Sequence, residues 1–159
     1  MTSEGTSLRP VSTEDYSFLL EVYASTRELE LAMSGWDKAQ QDTFVRMQFD
    51  AQQHYYGAAF PDGQHNIILV DGQPTGRIYT TEDEEQIKIL DITLLPSRRN
   101  AGVGTPLIKE VLERAQAVGK RVQIYVESYN PSRRLFERLG FSIIGDDGLN
   151  LLFEWRPSA

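Results

Sequence analysis

Apolar residues recur along the chain with two different periods, and the switches between them mark the elements. Tyr16, Leu19, Leu20 and Tyr23 share a 3.6-residue stripe. A helix is therefore predicted after Ser12, where Asp15 sets up a capping box and Val11 with Tyr16 a hydrophobic staple. A second helix is predicted from Asp37, with Gln40 as its capping partner and Phe44, Met47, Ala51 and Tyr55 on its buried side. The turn-rich stretch 57–63 ends it. Three strand segments follow at 66–70, 74–81 and 86–95. The Asp71-Gly72 hairpin signal and the acidic turn 82–85 join them into an antiparallel meander. Helical spacing returns at 103–118, where Val103, Leu107, Ile108, Val111, Leu112 and Ala115 fall on one stripe. A strand at 121–126 precedes a short helix with Asn130 as N-cap, Pro131 as first residue and Gly140 as terminator. Strands at 141–144 and 149–155 flank the turn 145–148.

With a short first strand at 8–11, the order is β-α-α-β-β-β-α-β-α-β-β, a mixed α/β arrangement. It predicts a single domain over 8–157 behind a loose polar tail at 1–7. At 159 residues and 40% hydrophobic content, the chain sustains a core without disulfide or metal staples. It has no cysteine, which excludes a disulfide scaffold, a thiolate metal site and a cysteine nucleophile. His54 and His65 stand alone, so neither a metal site nor a triad is expected. No apolar run has the length of a membrane span, and residues 1–7 lack the apolar stretch of a signal peptide. The expectation is a cytoplasmic protein with no membrane partner. A net charge of -7 also argues against nucleic acid as a partner. That charge is uneven: residues 1–94 carry 6 basic and 16 acidic side chains, whereas 95–159 carry 10 and 7. An anionic ligand would favour the second half and a cationic one the first.

The segment Leu94-Leu95-Pro96-Ser97-Arg98-Arg99-Asn100-Ala101-Gly102-Val103-Gly104-Thr105 joins a strand end to a helix start. A helix N-terminus offers unpaired N–H groups and the positive end of the dipole, a setting for phosphate oxygens. Gly102 and Gly104 remove side chains that would hold a phosphate away from the backbone, and Arg98 and Arg99 add charge. A Walker loop needs Gly-Lys-Ser/Thr, which is missing; a dinucleotide fingerprint needs a third glycine where Leu107 stands. A tight strand-to-helix turn that uses glycine only for geometry is the plain alternative.

Arg99-x-x-Gly102-x-Gly104 resembles the Gln/Arg-x-x-Gly-x-Gly/Ala motif of the GNAT superfamily of N-acetyltransferases. The segment Asn130-Pro131-Ser132-Arg133-Arg134-Leu135-Phe136-Glu137-Arg138-Leu139-Gly140-Phe141 is similar to a second family motif, and the element order agrees. The resemblance implies a mixed, mostly antiparallel sheet flanked by about four helices, with acetyl-CoA as acyl donor and no metal. It implies that Leu94 and Leu95 offer backbone groups to the pantetheine arm, and that Arg98, Arg99, Asn100, Ala101, Gly102, Val103, Gly104 and Thr105 surround the pyrophosphate. Asn130 and the residue at Phe136 would contact the cofactor, and a small-molecule or peptide amine would be the acceptor. A homodimer is a further possibility of such a fold. Direct attack of the amine in a ternary complex is the implied mechanism. The sequence departs from the family at Phe136, where a tyrosine proposed to protonate the leaving thiolate is frequent. A non-catalytic acyl-CoA-binding or regulatory module is therefore the alternative.

Base candidates are Asp91, Glu127 and, through water, Tyr125. Asp91 lies in an apolar strand and faces away from the core helix if Leu90, Ile92 and Leu94 face it; a salt bridge to a neighbouring strand or to a second subunit is its ordinary alternative. For Glu127 that alternative is a solvated strand-end charge, and for Tyr125 plain packing. Glu28, Glu30, Trp36, Tyr55, Tyr56 and Tyr79 form an acidic and aromatic set suited to an amine cation.

Overall fold

The computed structural model describes residues 5–99 and 101–159. Seven strands form one sheet in the order β1-β2-β3-β4-β5-β7-β6, and only β4 and β5 run parallel. The strands are β1 (Thr6–Pro10), β2 (Gln64–Val70), β3 (Gln73–Glu82), β4 (Gln86–Leu94), β5 (Arg121–Glu127), β6 (Ser142–Asp146) and β7 (Asn150–Trp155). The helices are α1 (Tyr16–Ser25), α2 (Glu28–Met33), α3 (Lys38–Ala59), α4 (Gly104–Val118) and α5 (Arg133–Arg138). The mixed, mostly antiparallel α/β architecture is thus the one expected. It has one helix more, because α2 is a six-residue turn with no buried residue and so no apolar stripe to betray it. Thr6 and Ser7, assigned to the tail, already pair with Val70 and Leu69.

Local chemistry explains most boundaries. Asp71 and Gly72 carry positive φ, 51° and 79°, and close the β2–β3 hairpin in the left-handed conformation that such two-residue turns require. Asp37 accepts a hydrogen bond from the Gln40 N–H at 2.8 Å, and the Gln40 side chain accepts from the Asp37 N–H at 3.0 Å. Asp15 accepts the Ser12 N–H at 2.8 Å and a forked pair from Arg9 at 2.7 and 2.8 Å. Those contacts hold its carboxyl far below the usual range.

Two layers cover the sheet. Leu107, Ile108, Leu112 and Ala115 of α4 pack with Phe136 of α5 on one face, against Ile87, Ile89, Val122, Ile124 and Phe153. Leu19 and Tyr23 of α1 meet Val45 and Phe49 of α3 over Ile67 on the other. The inner side of α3 differs from the expected one: Val45 and Phe49 are buried, whereas Met47 and Tyr55 are exposed. Its inward positions include Gln52 and Gln53, which disguise the stripe, and their target is charged. Arg77 of β3 is 2% exposed and donates to Asp91 at 2.6 Å, Gln52 at 2.6 Å and Gln53 at 2.8 Å. Its guanidinium also lies over the Phe49 ring. A buried cation is tolerable only when its donors are met, and the glutamines meet them.

His65 stacks on Tyr79 beside this group, with ring centroids 4.3 Å apart. Burial, reinforced by Arg77, pushes its imidazole down to about 4. Two expectations follow. Arg77→Met strands the Asp91 carboxylate and both glutamines and should cost about 3 kcal/mol in urea unfolding. Stability should also decline as pH falls from about 6.5 to about 4, because the unfolded chain binds a proton at histidine that the native state refuses. Thermal melts across that window should show a shallower slope for His65→Gln.

Candidate active site

The parallel pair β4–β5 is short. It runs from Gln86↔Arg121 to Ile89↔Ile124 and stops. The β3–β4 register skips one residue there: Thr80 opposes Ile89 and Tyr79 opposes Asp91, leaving Leu90 as a bulge. A bulge bends its strand, and β4 leaves β5 at that residue. The freed Leu90 carbonyl accepts the Tyr56 hydroxyl at 3.1 Å. Beyond it β4 follows β3 alone to Leu94, while β5 follows β7 to Glu127. Gly76 permits the close approach of β3, since a Cβ there would stand 2.1 Å from the Thr93 carbonyl oxygen. A gap thus opens between the two strand ends.

One lip of the gap is the glycine loop. Leu95 donates its N–H to Thr75 at 2.8 Å, and the 3-10 turn Pro96–Arg98 leads towards α4. Val103 is buried against Ile68, Ile78 and Leu107 and anchors the loop. Helix α4 starts at Gly104 with no side-chain cap, so the first-turn N–H groups of Gly104 and Thr105 are left for another acceptor. Gly102 has φ +76° and open space where a Cβ would stand, and Gly104 meets only a Leu94 methyl at 3.8 Å. Arg98 is half-buried; Ala101 and Arg99 are exposed. The Arg99 Nε–H donates to the Leu94 carbonyl at 3.1 Å. The candidate cofactor residues of this loop therefore lie around one helix start; Asn100 lies outside the described residues.

The other lip is the end of β5. Asn130 donates its N–H to the Glu127 carbonyl and accepts the Ser132 N–H on its side chain, both at 2.9 Å. It shapes the turn, and Ser132 rather than Asn130 is the N-cap of α5, which starts at Arg133 and not at Pro131. Phe136, a candidate cofactor contact, is 2% exposed and packs edge-on to Phe141 at 5.4 Å. Its ring belongs to the core.

The three candidate bases differ in setting. Asp91 is ion-paired to Arg77 and accepts the Thr93 hydroxyl at 2.9 Å; the cross-strand salt bridge is what forms. Tyr125 is exposed and its hydroxyl has no partner among the described residues. Glu127 Oε2 accepts the Tyr129 hydroxyl and lies 3.7 Å from Arg27, which joins α1 to α2. Tyr129 escaped notice in the sequence, where its position directly before Asn130 is the one available signal.

A cavity of about 620 Å³ opens among α1, α2 and α3 beside the end of β4, lined by Leu20, Ala24, Glu28, Leu31, Val45 and Leu95 among others. The acidic and aromatic set is divided. Glu28 lines this cavity, whereas Glu30, which is not part of its lining, pairs with Arg27. Trp36 packs on Phe44 at 5.0 Å, and Tyr55 is exposed on α3. Tyr56 and Tyr79 meet at 5.2 Å near the bulge, where burial pushes the Tyr56 hydroxyl up to about 12. Among the described residues no cluster of three or more His, Asp or Glu is placed to hold a metal ion. No described helix is long and apolar enough to cross a membrane.

Comparison with known proteins agrees with this fold. No curated protein matches the chain. Among solved structures, the PaiA N-acetyltransferase of Thermoplasma acidophilum, crystallised with coenzyme A, superposes with a TM-score of 0.71 at 18% identity, over 95% of this chain and 98% of its own. PH1933 of Pyrococcus horikoshii gives 0.71 at 16% identity, over 97% and 99%. An acetyltransferase of Thermus thermophilus gives 0.69 at 17%, over 98% and 99%. The family model described as the acetyltransferase (GNAT) family matches residues 24–141, from the end of α1 past α5. With the open strand pair, the uncapped helix start and this match over most of its length, the chain belongs to the GNAT family of acetyltransferases.

Proposed function

We propose that the protein is an acetyl-CoA-dependent N-acetyltransferase that acts on a primary amine by direct attack in a ternary complex. The observation that carries this reading is the uncapped, glycine-lined start of α4 at the mouth of the β4–β5 gap. Its free N–H groups and dipole suit a pyrophosphate, with Arg98 and Arg99 alongside. The backbone groups of β4 that β5 no longer uses suit an amide-bearing arm such as pantetheine. Arg99 would release the Leu94 carbonyl as that arm entered. The cavity beside Leu95, with Glu28 on its wall, suits the acceptor.

Attack needs a neutral amine. For a lysine-like group near a pKa of roughly 10.4, deprotonation at pH 7 costs about 4.6 kcal/mol; for an α-amine near 7.8 it costs about 1 kcal/mol. A base matters chiefly for the former. Asp91 is committed to Arg77, so Glu127 is the better-placed carboxylate for it. The alternative, a non-catalytic acyl-CoA-binding module, draws on the burial of Phe136 in the core.

Calorimetric titration of acetyl-CoA separates these readings from a loop that is only geometry. Wild type should bind at high micromolar concentration or tighter, and a Gly102→Trp/Gly104→Trp variant with wild-type circular dichroism should lose binding at least about tenfold. No binding by wild type would overturn both cofactor readings. Binding without thiol release in an amine panel would favour the module.

A further inference from the structure

The thiolate that departs in acetyl transfer needs a proton, and Phe136 offers none. Tyrosine hydroxyls elsewhere are committed or isolated: Tyr56 donates to the Leu90 carbonyl, Tyr16 to Asp50 and Tyr23 to Gln48. Tyr129 is different in three respects. It sits on the turn that ends β5, beside the opening between β4 and β5. Its hydroxyl is hydrogen-bonded to the Glu127 carboxylate, and 71% of the residue is open to solvent. The carboxylate is in turn anchored through Arg27, at 3.7 Å, to the α1–α2 corner, which joins Ser25 and Glu28 of the cavity wall. Both contacts use Oε2, so Oε1 is without a hydrogen-bond partner among the described residues.

We propose that Tyr129 and Glu127 form a proton relay that carries the amine proton to the leaving sulfur, with Tyr129 as the donor. This rests on the acetyl-transfer reading above. The acceptor nitrogen uses its lone pair to bond the thioester carbon, the C–S bond breaks, and its electron pair stays on sulfur. Glu127 takes the surplus proton of the amine nitrogen. Tyr129 gives its phenolic proton to sulfur and takes the proton held by Glu127. The products are an amide and a free thiol, and the pair ends as it began, phenol beside carboxylate. The resting hydrogen bond to Glu127 raises the phenol, with Glu30 acting in the same sense and Arg27 opposing. Protonation of Glu127 removes the main cause of that rise, so the phenol becomes a better acid at the moment the sulfur needs it.

The test is thiol release by wild type, Tyr129→Phe, Glu127→Gln and Tyr16→Phe. Acetyl-CoA is the donor; spermidine, tyramine and a tripeptide with a free amino terminus are the acceptor probes. Tyr129→Phe removes one exposed oxygen and leaves the fold alone, so its melting temperature should match wild type. Its kcat should fall on the order of a hundredfold with an unchanged KM for acetyl-CoA, and Glu127→Gln should fall at least as far with the lysine-like probe. The alkaline limb of the Tyr129→Phe pH–kcat profile, set in wild type by a phenol facing Glu127, Glu30 and Arg27, should vanish. Tyr16→Phe removes a comparable tyrosine–carboxylate bond at the start of α1 and should stay within twofold of wild type. An active wild type with Tyr129→Phe within twofold, or impaired only in KM, overturns the relay alone. A wild type that releases no thiol with any probe overturns the transfer reading and the relay together.

Discussion

The functional anatomy of this protein depends on one failure of strand pairing. β4 and β5 are hydrogen-bonded at their N-terminal ends, as parallel neighbours in a sheet should be, and then part after Ile89 and Ile124. The extra residue at Leu90 bends β4, while β3 on its other side and β7 beyond β5 hold the two diverging ends in place. The glycine loop, the end of β5, the α1–α2 corner and the cavity beside Leu95 all gather around the resulting gap. If β4 and β5 stayed paired to their ends, the uncapped α4 terminus would still exist but would have nothing to adjoin.

Keeping the gap open requires that β4 be held from behind, and Arg77 does this. It reaches from β3 to Asp91 on β4 and to Gln52 and Gln53 on α3, so one buried cation ties the helix to both strands at the bulge. Tyr56 adds a second link from α3 to the Leu90 carbonyl. An all-apolar interface would pack as well but would specify position less sharply, because apolar contacts have little directionality. The same arrangement explains why Asp91 is poorly suited to remove a proton from an amine. Its charge is already used in holding the strand.

The sequence made the frame legible where local chemistry and periodicity point the same way. The α4 stripe, the Asp71-Gly72 turn and the Asp37 capping box all stand where the pattern predicts them. The glycine loop was legible too, because helix starts and strand ends are marked by residue type. What the pattern concealed has physical causes. The inner side of α3 reads as polar because its partner is an arginine, so a search for an apolar stripe selects Met47 and Tyr55 instead of Val45, Phe49 and the glutamines. Helix α2 packs only the half-buried Leu31 against the core and so shows no stripe. Phe136 stands out by its place in a motif, but beside Phe141 of the same motif its ring meets Phe153 of β7, which only the folded chain brings to it. Tyr129 and Arg27 lie about a hundred residues apart, and nothing in the sequence announces that both meet Glu127.

The wedge shape of the gap also decides what can enter it. At Ile89 and Ile124 the strands are one sheet spacing apart, about 4.8 Å, and a further strand inserted between them would need twice that. A peptide with side chains must therefore stop at the wide end, whereas a slender linear chain is able to reach the apex. Exposed strand edges usually invite pairing with other proteins. Here the hydrogen-bonding edge of β4 lies inside the sheet, in a slot that narrows to nothing, and is readable only by a molecule thinner than a strand. The geometry that opens the site also keeps it from becoming a seed for aggregation.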